Sequence, residues 1–282
     1  MIQKINKYSR AGIHLLNYPL NIGFKSSPLM LRHYRKKISI DRKVGNFIIK
    51  TVDHRYELMK AMRLRYKSFL QNDTKFNIFP KYEIDEYDIL ADHLIVIDEK
   101  NSKVCATCRL LYSEWTNIFY SEKEFDISRF KNTPGEKLEI GRACVHSKYR
   151  NGRAINLLWH GISEYIRLLK PQYLFGCSSI KTMEPDMIRK VTHYLKDHTS
   201  YSYDIKPLDN YNVRNMHPGS TMNKDSEIEN IIPPLLRVYL QCGAEVHGNP
   251  ALDVEFSCID FLTILNFEEM RGPFKKRYFE SH

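Results

Sequence analysis

Leu138-Glu139-Ile140-Gly141-Arg142-Ala143-Cys144-Val145-His146 runs straight into Ser147-Lys148-Tyr149-Arg150-Asn151-Gly152 and then into a long apolar-periodic stretch. The order reads as a strand, a short turn rich in basic residues and glycine, and a helix. One carboxylate and one guanidinium stand on the strand, beside a helix N-terminus whose free backbone N–H groups attract anions. A donor ending in phosphate would dock at that turn while Glu139 handles a proton.

Outward from this unit, residues 47–52 read as a first strand. Residues 54–70 read as a helix, with Leu58, Met62, Arg65, Tyr66 and Phe69 near one face. Strands at 93–98 and 104–112 are joined by Glu99-Lys100-Asn101-Ser102-Lys103, short enough for a hairpin. The polar stretch 113–136 has no clear pattern. In the helix at 153–169, Ile155, Leu158, Trp159, Ile162, Ile166 and Leu169 recur at three and four. A strand at 173–177 follows, then a helix at 184–196 opened by Pro185. The loop-like stretch 206–230 has the length of a functional lid. Pro233-Pro234 starts a short helix, and strands at 244–248 and 254–266 end the sheet. Mixed strands and helices of this kind predict one α/β domain.

The chain has 282 residues, 43% of them apolar, and six cysteines that fall mostly inside strand-like runs. That usage suits buried free thiols in a reduced, cytoplasmic compartment. Cys105 and Cys108 form a C-x-x-C without a second pair at zinc-site spacing, and on a regular strand they would face opposite sides, so no metal is expected. No apolar run approaches the roughly 20 residues of a spanning helix, and the N-terminus has no signal-peptide pattern. A soluble or peripheral protein is expected.

Of the net charge of +10, residues 1–43 carry +9, interleaved with Ile13, Leu15, Leu16, Tyr18, Leu20, Ile22 and Phe24. The rest of the chain is near neutral. Residues 1–45 therefore read as a basic amphiphilic arm, suited to an anionic membrane surface or an acidic protein partner; a solvated leader is the plainer alternative. No nucleic-acid motif accompanies it, so nucleic acid is not an expected partner. Residues 46–268 form the expected domain and 269–282 a tail.

Charge also sits within otherwise apolar elements: Arg65 with Phe69, Asp85 with Asp88, Arg109, and Glu139 with Arg142. Such groups are expensive to bury unless paired. A structural ion network, or solvated faces, would account for any one of them. Three arginines against three aspartates and glutamates, in this order along the chain, suggest more.

On these residues the sequence resembles the acyl-carrier-protein-dependent GNAT-like N-acyltransferases, over roughly residues 47–266. The autoinducer (acyl-homoserine-lactone) synthases of that group show the Arg65/Phe69, Asp85/Asp88, Arg109 and Glu139/Arg142 spacings. Similar still more closely are the ornithine- and glycine-lipid N-acyltransferases, often called hemolysin-like, whose hallmarks look like Leu138 to His146, Tyr149-Arg150, Leu157-Leu158-Trp159, Leu174-Phe175-Gly176-Cys177, and Pro233-Pro234-Leu235-Leu236 through Tyr239 to Gly243-Ala244. The resemblance implies a GNAT-like acyltransferase fold: a central mixed, mostly antiparallel sheet flanked by helices. It also implies acyl transfer to an ornithine- or glycine-like amine in aminolipid synthesis, on the inner face of the membrane. The alternatives are an acyl-homoserine-lactone synthase and a non-catalytic membrane- or carrier-binding module.

One departure bears on the donor. Where acetyl-CoA-using GNAT enzymes place small residues to wrap a pyrophosphate, this chain has Arg153 and Ile155. The acyl-phosphopantetheine of acyl-carrier protein asks less of that loop, and no tightly bound cofactor is expected. Val145, Arg150, Gly152, Arg153 and Ala154 are the expected carrier-binding residues. Glu139 is the expected base, working with Arg142. Arg65, Phe69, Asp85, Asp88 and Arg109 would shape the acceptor pocket. Trp159 would line the acyl tunnel, unless it simply packs the core. Cys144 with His146 is the rival, nucleophilic route.

Overall fold

The computed structural model describes residues 28–71, 81–213, 228 and 231–270. In chain order the strands are β1 (Asp41–Val44), β2 (Phe47–Thr51), β3 (Asp92–Asp98), β4 (Lys103–Tyr112), β5 (Phe125–Asp126), β6 (Lys137–Val145), β7 (Tyr173–Ile180), β8 (Thr199–Ser200), β9 (Lys206–Pro207), β10 (Glu245–Asp253) and β11 (Cys258–Asn266). The helices are α1 (Arg55–Phe69), α2 (Ser128–Lys131), α3 (Arg153–Leu169), α4 (Pro185–Tyr194) and α5 (Pro234–Gln241). Nine strands form one sheet in the order β1-β2-β3-β4-β6-β7-β11-β10-β8, and β5 pairs with β9 separately. Only β6–β7 and β10–β8 are parallel. The sheet is mixed and mostly antiparallel, as expected.

Each face of the sheet is covered by a helix whose apolar spacing dictates its docking. On one side α3 buries Ala154, Leu158, Ile162 and Ile166 against Ile49, Leu94, Val96 and Ile140. Each such aliphatic side chain contributes about 1.5–3 kcal/mol on full burial. On the other side α1 packs Leu58, Ala61 and Met62 against Val52, Ile95 and Val104. Arg65 lies one turn further along that buried stripe and carries its guanidinium into the interior.

Three sequence expectations change. The sheet begins inside the expected arm: β1 pairs with β2, and the backbone N–H groups of Lys37 and Ile38 donate to Asp92 at 2.9 and 2.8 Å. Strand β1 escaped notice because its Asp41, Arg42 and Lys43 side chains are exposed and only its backbone is paired; charges on edge strands are a common device. Cys105 and Cys108 do not face opposite sides. Val96 pairs with Ala106 but Ile97 with Val104, so a bulge at Cys105 resets the alternation and both thiols enter the α3-side core. Finally, residues 254–257 make a turn between β10 and β11 rather than strand. Residues 1–27 of the arm, 214–227, 229 and 230 of the lid-like loop, and 271–282 of the tail lie outside the described residues.

Among the described residues no helix is long and apolar enough to cross a membrane.

Candidate active site

Strands β6 and β7 are laddered only at Lys137–Tyr173, Leu138–Leu174 and Glu139–Phe175. Beyond that point β6 stays with β4 and β7 stays with β11, so the two separate and a cleft opens between them. Gly176 marks the fork. A Cβ there would lie 2.2 Å from the Ile140 carbonyl oxygen, closer than any real contact. Gly176→Ala should therefore cost about 1–3 kcal/mol by overpacking, read by denaturant unfolding.

The cleft also depends on a bulge in β6. Gly141 sits opposite Arg109 and Cys144 opposite Thr107, leaving Arg142 and Ala143 against Cys108 alone. Arg142 takes a left-handed backbone (φ 52°), which costs a non-glycine residue roughly 1–2 kcal/mol. Three residues apart on a regular strand, Glu139 and Arg142 would face opposite sides; the bulge lets both line the cleft.

The cavity is about 250 Å³. Glu139, Gly141, Arg142 and Ala143 line it from β6, and Gly176 to Ser179 from β7. Phe69 contributes from the end of α1, Tyr120 and Glu124 from the 113–136 connection, and Leu235, Leu236 and Tyr239 from α5. Asp253, Phe256 and Asp260 close the β10–β11 side.

Glu139 is 3% exposed and forms no salt bridge among the described residues. Its oxygens accept from the Ser121 hydroxyl (2.6 Å) and from the backbone N–H groups of Ser121 and Tyr120 (2.8 Å each). These neutral donors fix the carboxylate without neutralising it. Burial pushes its pKa above the usual glutamate value, opposed by those hydrogen bonds and by Arg109. A buried carboxyl with a raised pKa, on the wall of a cleft, has the chemistry of a general base.

Beneath the cleft lies a charge cluster. Arg65 bonds Glu83 and, at 2.6 Å, Asp88. Arg109 bonds Asp85 at 2.5 Å and Asp88 at 3.0 Å. Arg142 bonds Glu83 at 2.9 Å and Asp85 at 3.3 Å. Three cations face three anions, and the spacing of Asp85 and Asp88 is that of a capping box: Asp85 accepts from the Tyr87 N–H, and Asp88 from the Asp85 N–H. Burial alone would raise the Asp85 pKa, but Arg109, Arg142 and Arg65 hold it far below the usual carboxylate range. The network fixes Arg142, whose guanidinium stacks 4.2 Å from the Tyr120 ring and 5.0 Å from Phe256.

Of the residues expected to act as base or to shape the acceptor pocket, Phe69, Glu139 and Arg142 line the cleft. Arg65, Asp85, Asp88 and Arg109 are buried in the ion network instead, because each has a partner of opposite charge within the fold. Trp159 belongs to the core on the α3 side, edge-on to Tyr239 at 5.3 Å, and does not line the cleft. On the expected donor side, Gly152 is the N-cap of α3 in the left-handed region (φ 86°), the Arg153 N–H donates to Asn151 Oδ1 at 3.2 Å, and Arg150 donates to the Val145 carbonyl at 3.1 Å. Ala154 is buried, and the Arg153 guanidinium lies 4.7 Å over the Phe47 ring. Sequence reading missed Glu83, Glu124, Asp253 and Asp260. Glu83 opens the acidic run that ends at Asp88, a signal that was present; the other three belong to no common motif in sequence and meet only in the fold.

Cys144 faces α1 and is absent from the cleft wall. Burial pushes its thiol up to about 12, and the Nδ1 atom of His146 accepts from the Lys148 N–H. A thiol held protonated without a free base is not a nucleophile. Cys144→Ala should retain more than about half of wild-type turnover, since nucleophile loss would cost orders of magnitude; steady-state rates decide.

Residues 64–160 match the acetyltransferase (GNAT) domain family. The chain is 26% identical over 253 residues to the L-ornithine N(alpha)-acyltransferase of Brucella abortus (strain 2308), covering 84% of this chain and 90% of that one. It is 28% identical over 241 residues to the protein of the same name from Rhizobium meliloti (strain 1021), covering 79% and 80%. Among solved structures, the AHL synthase LasI aligns with a TM-score of 0.47 at 12% identity, over 83% of this chain and 95% of that one. FeeM, an N-acyl amino acid synthase from uncultured soil microbes, aligns with 0.43 at 11%, over 82% and 93%. The forked sheet, the carboxylate at its fork and the matched domain have one explanation in common: this chain is an acyltransferase carrying a GNAT domain.

Proposed function

We propose that the protein moves a fatty acyl chain, 3-hydroxylated in its preferred donor, from the phosphopantetheine thioester of acyl-carrier protein to the α-amine of ornithine, opening an aminolipid synthesis. The observation that carries this reading is Glu139, without a salt bridge among the described residues and held by three neutral donors where β6 and β7 part. The names of the curated relatives support ornithine as acceptor.

In this reading Glu139 takes the proton from the acceptor amine, and the freed nitrogen attacks the thioester carbonyl. The C–N bond forms and the C–S bond breaks; of the two protons the ammonium nitrogen gives up, one leaves with the thiol by way of Glu139 and the other passes to solvent. Backbone polar groups of β6 beyond Glu139, which have no β7 partner, stabilise the oxyanion. Arg142, fixed by Glu83 and Asp85, receives the acceptor carboxylate. The first turn of α3, with Val145, Arg150, Gly152, Arg153 and Ala154, takes the phosphodiester of the carrier arm. Bulky Arg153 and Ile155 favour that arm over coenzyme A, and residues 1–45 supply basic charge for the acidic carrier and for an anionic membrane on its cytoplasmic face.

Incubating purified protein with acyl-carrier-protein or coenzyme A thioesters and a panel of acceptors, read by mass spectrometry, tests this. N-acylornithine formed from the carrier thioester is the expected product. An acyl-homoserine lactone from S-adenosylmethionine, or no acylated amine at all, would contradict it.

A further inference from the structure

The far wall of the cleft carries charge that the mechanism above leaves unused. Glu124 is 1% exposed and lines the cavity; its carboxyl bonds the Tyr120 hydroxyl, and its Oε2 oxygen has no hydrogen-bond partner among the described residues. Beside it, Asp260 accepts from the Ser179 hydroxyl at 2.5 Å and from the Cys258 thiol at 3.5 Å, and Asp253 accepts from the Phe256 N–H at 3.0 Å. All of these donors are neutral. Arg142, whose charge reaches Glu124 and Asp260, is already bonded to Glu83 and Asp85. The cluster below the cleft balances three cations against three anions, so among the described residues this acidic wall is left without a counter-charge of its own.

We propose that Glu124, Asp253 and Asp260 form the subsite for a side-chain ammonium of the acceptor, so that the enzyme selects a diamino acid by its second amine. The inference rests on the reading of this cleft as the acceptor site. The unpartnered Glu124 oxygen is the strongest pointer, because a buried acceptor atom without a donor is costly in a folded protein unless a ligand supplies one. An ammonium offers three donors and one positive charge to three carboxylates. Burial, then Asp260 and Asp253, pushes the Glu124 carboxyl up to about 9; a cation among the three relieves that penalty. With the second amine held here, the α-amine is left for Glu139 across the cleft.

A metal ion is the competing occupant, since Asp253, Cys258 and Asp260 offer ligand atoms within 4.8 Å of one another. Burial, however, holds the Cys258 thiol well above its usual pKa, and Glu124 lies outside that set. These features favour the ammonium.

The test compares ornithine with norvaline, which has the same carbon skeleton without the second amine. Full-length wild-type enzyme should prefer ornithine by about 100-fold or more in kcat/KM. Glu124→Gln and Asp260→Asn should each cut that preference by about tenfold or more, chiefly by raising the KM for ornithine. Equal use of the two acceptors by the wild type would overturn the subsite while leaving N-acyl transfer intact, and acylation of neither would end both readings. Equal losses on both acceptors in the variants would show a structural role only. An ornithine KM that rises on EDTA treatment and recovers with added divalent metal would assign the wall to a metal. Thermal melts guard against misfolding: removing a carboxyl whose pKa is raised by the fold should raise the Tm at pH 7.5.

Discussion

Glu139→Gln should lower kcat for N-acylation by about 10²–10⁴-fold, the usual worth of a positioned general base. The amide keeps the shape of the carboxylate and can still accept from the Ser121 hydroxyl. It cannot take a proton from the incoming amine. It also turns an N–H₂ group toward one of the two backbone N–H donors that face the carboxylate, Tyr120 and Ser121, which loosens the local grip without opening the core. The KM for the acceptor should change far less than kcat, because binding is assigned to Arg142 and to the acidic wall. Steady-state rates with acyl-carrier protein and ornithine measure this; a variant keeping half the wild-type kcat would remove Glu139 from the chemistry.

Asp85→Asn is expected to have the largest effect on stability. Asp85 is buried and accepts from both Arg109 and Arg142, which hold its pKa well below the usual carboxylate range. Neutralising it leaves two guanidinium groups inside the fold short of a counter-charge, a change worth about 3–5 kcal/mol and a fall in Tm of roughly 10 °C or more. Activity should fall with it, since the same network aims Arg142. The sign of the pH dependence follows from the depressed carboxylates. Burial opposes ionisation of Glu83 and Asp85, but the arginines around them win and lower both pKa values. Their contribution to stability is full above the ordinary carboxylate range of about 4 and drains away as the pH falls below it. Denaturant unfolding of wild type and Asp85→Asn across that range checks the direction: the gap in stability between them should narrow on acidification, and a gap that widens from pH 5 to pH 3 would contradict it.

Much of this was legible from periodicity and spacing. The helix expected at 153–169 is α3 residue for residue, and the strand that carries Glu139 begins at Lys137 as read. These elements are long and their apolar faces are fully used, so local pattern and tertiary contact agree. The mixed, mostly antiparallel sheet was legible as a family likeness. Features set by backbone geometry rather than side-chain type were not. The bulges at Cys105 and Arg142 each invert the facing of a residue that simple alternation would assign, and β1 is held by a ladder that leaves no apolar trace. The spacing of Asp85 and Asp88 was visible, but its meaning was not: a capping box that lets both carboxylates meet two arginines reads in sequence like a pair of ligands. The polar stretch 113–136 hid most. It holds Glu139 through Tyr120 and Ser121 and supplies Glu124 to the far wall, contacts that only long-range folding creates.

The most direct test of the central claim is the pH dependence of single-turnover acyl transfer in wild-type enzyme and in Glu139→Gln. With Glu139 as base, the wild-type rate should rise through the elevated pKa of that carboxyl and then stay level until the amine itself titrates. The variant, dependent on amine already neutral in solution, should climb by about tenfold per pH unit over the same range. Two profiles rising in parallel would mean that the proton goes elsewhere, and that the carboxylate at the fork of the sheet only holds the strands in place.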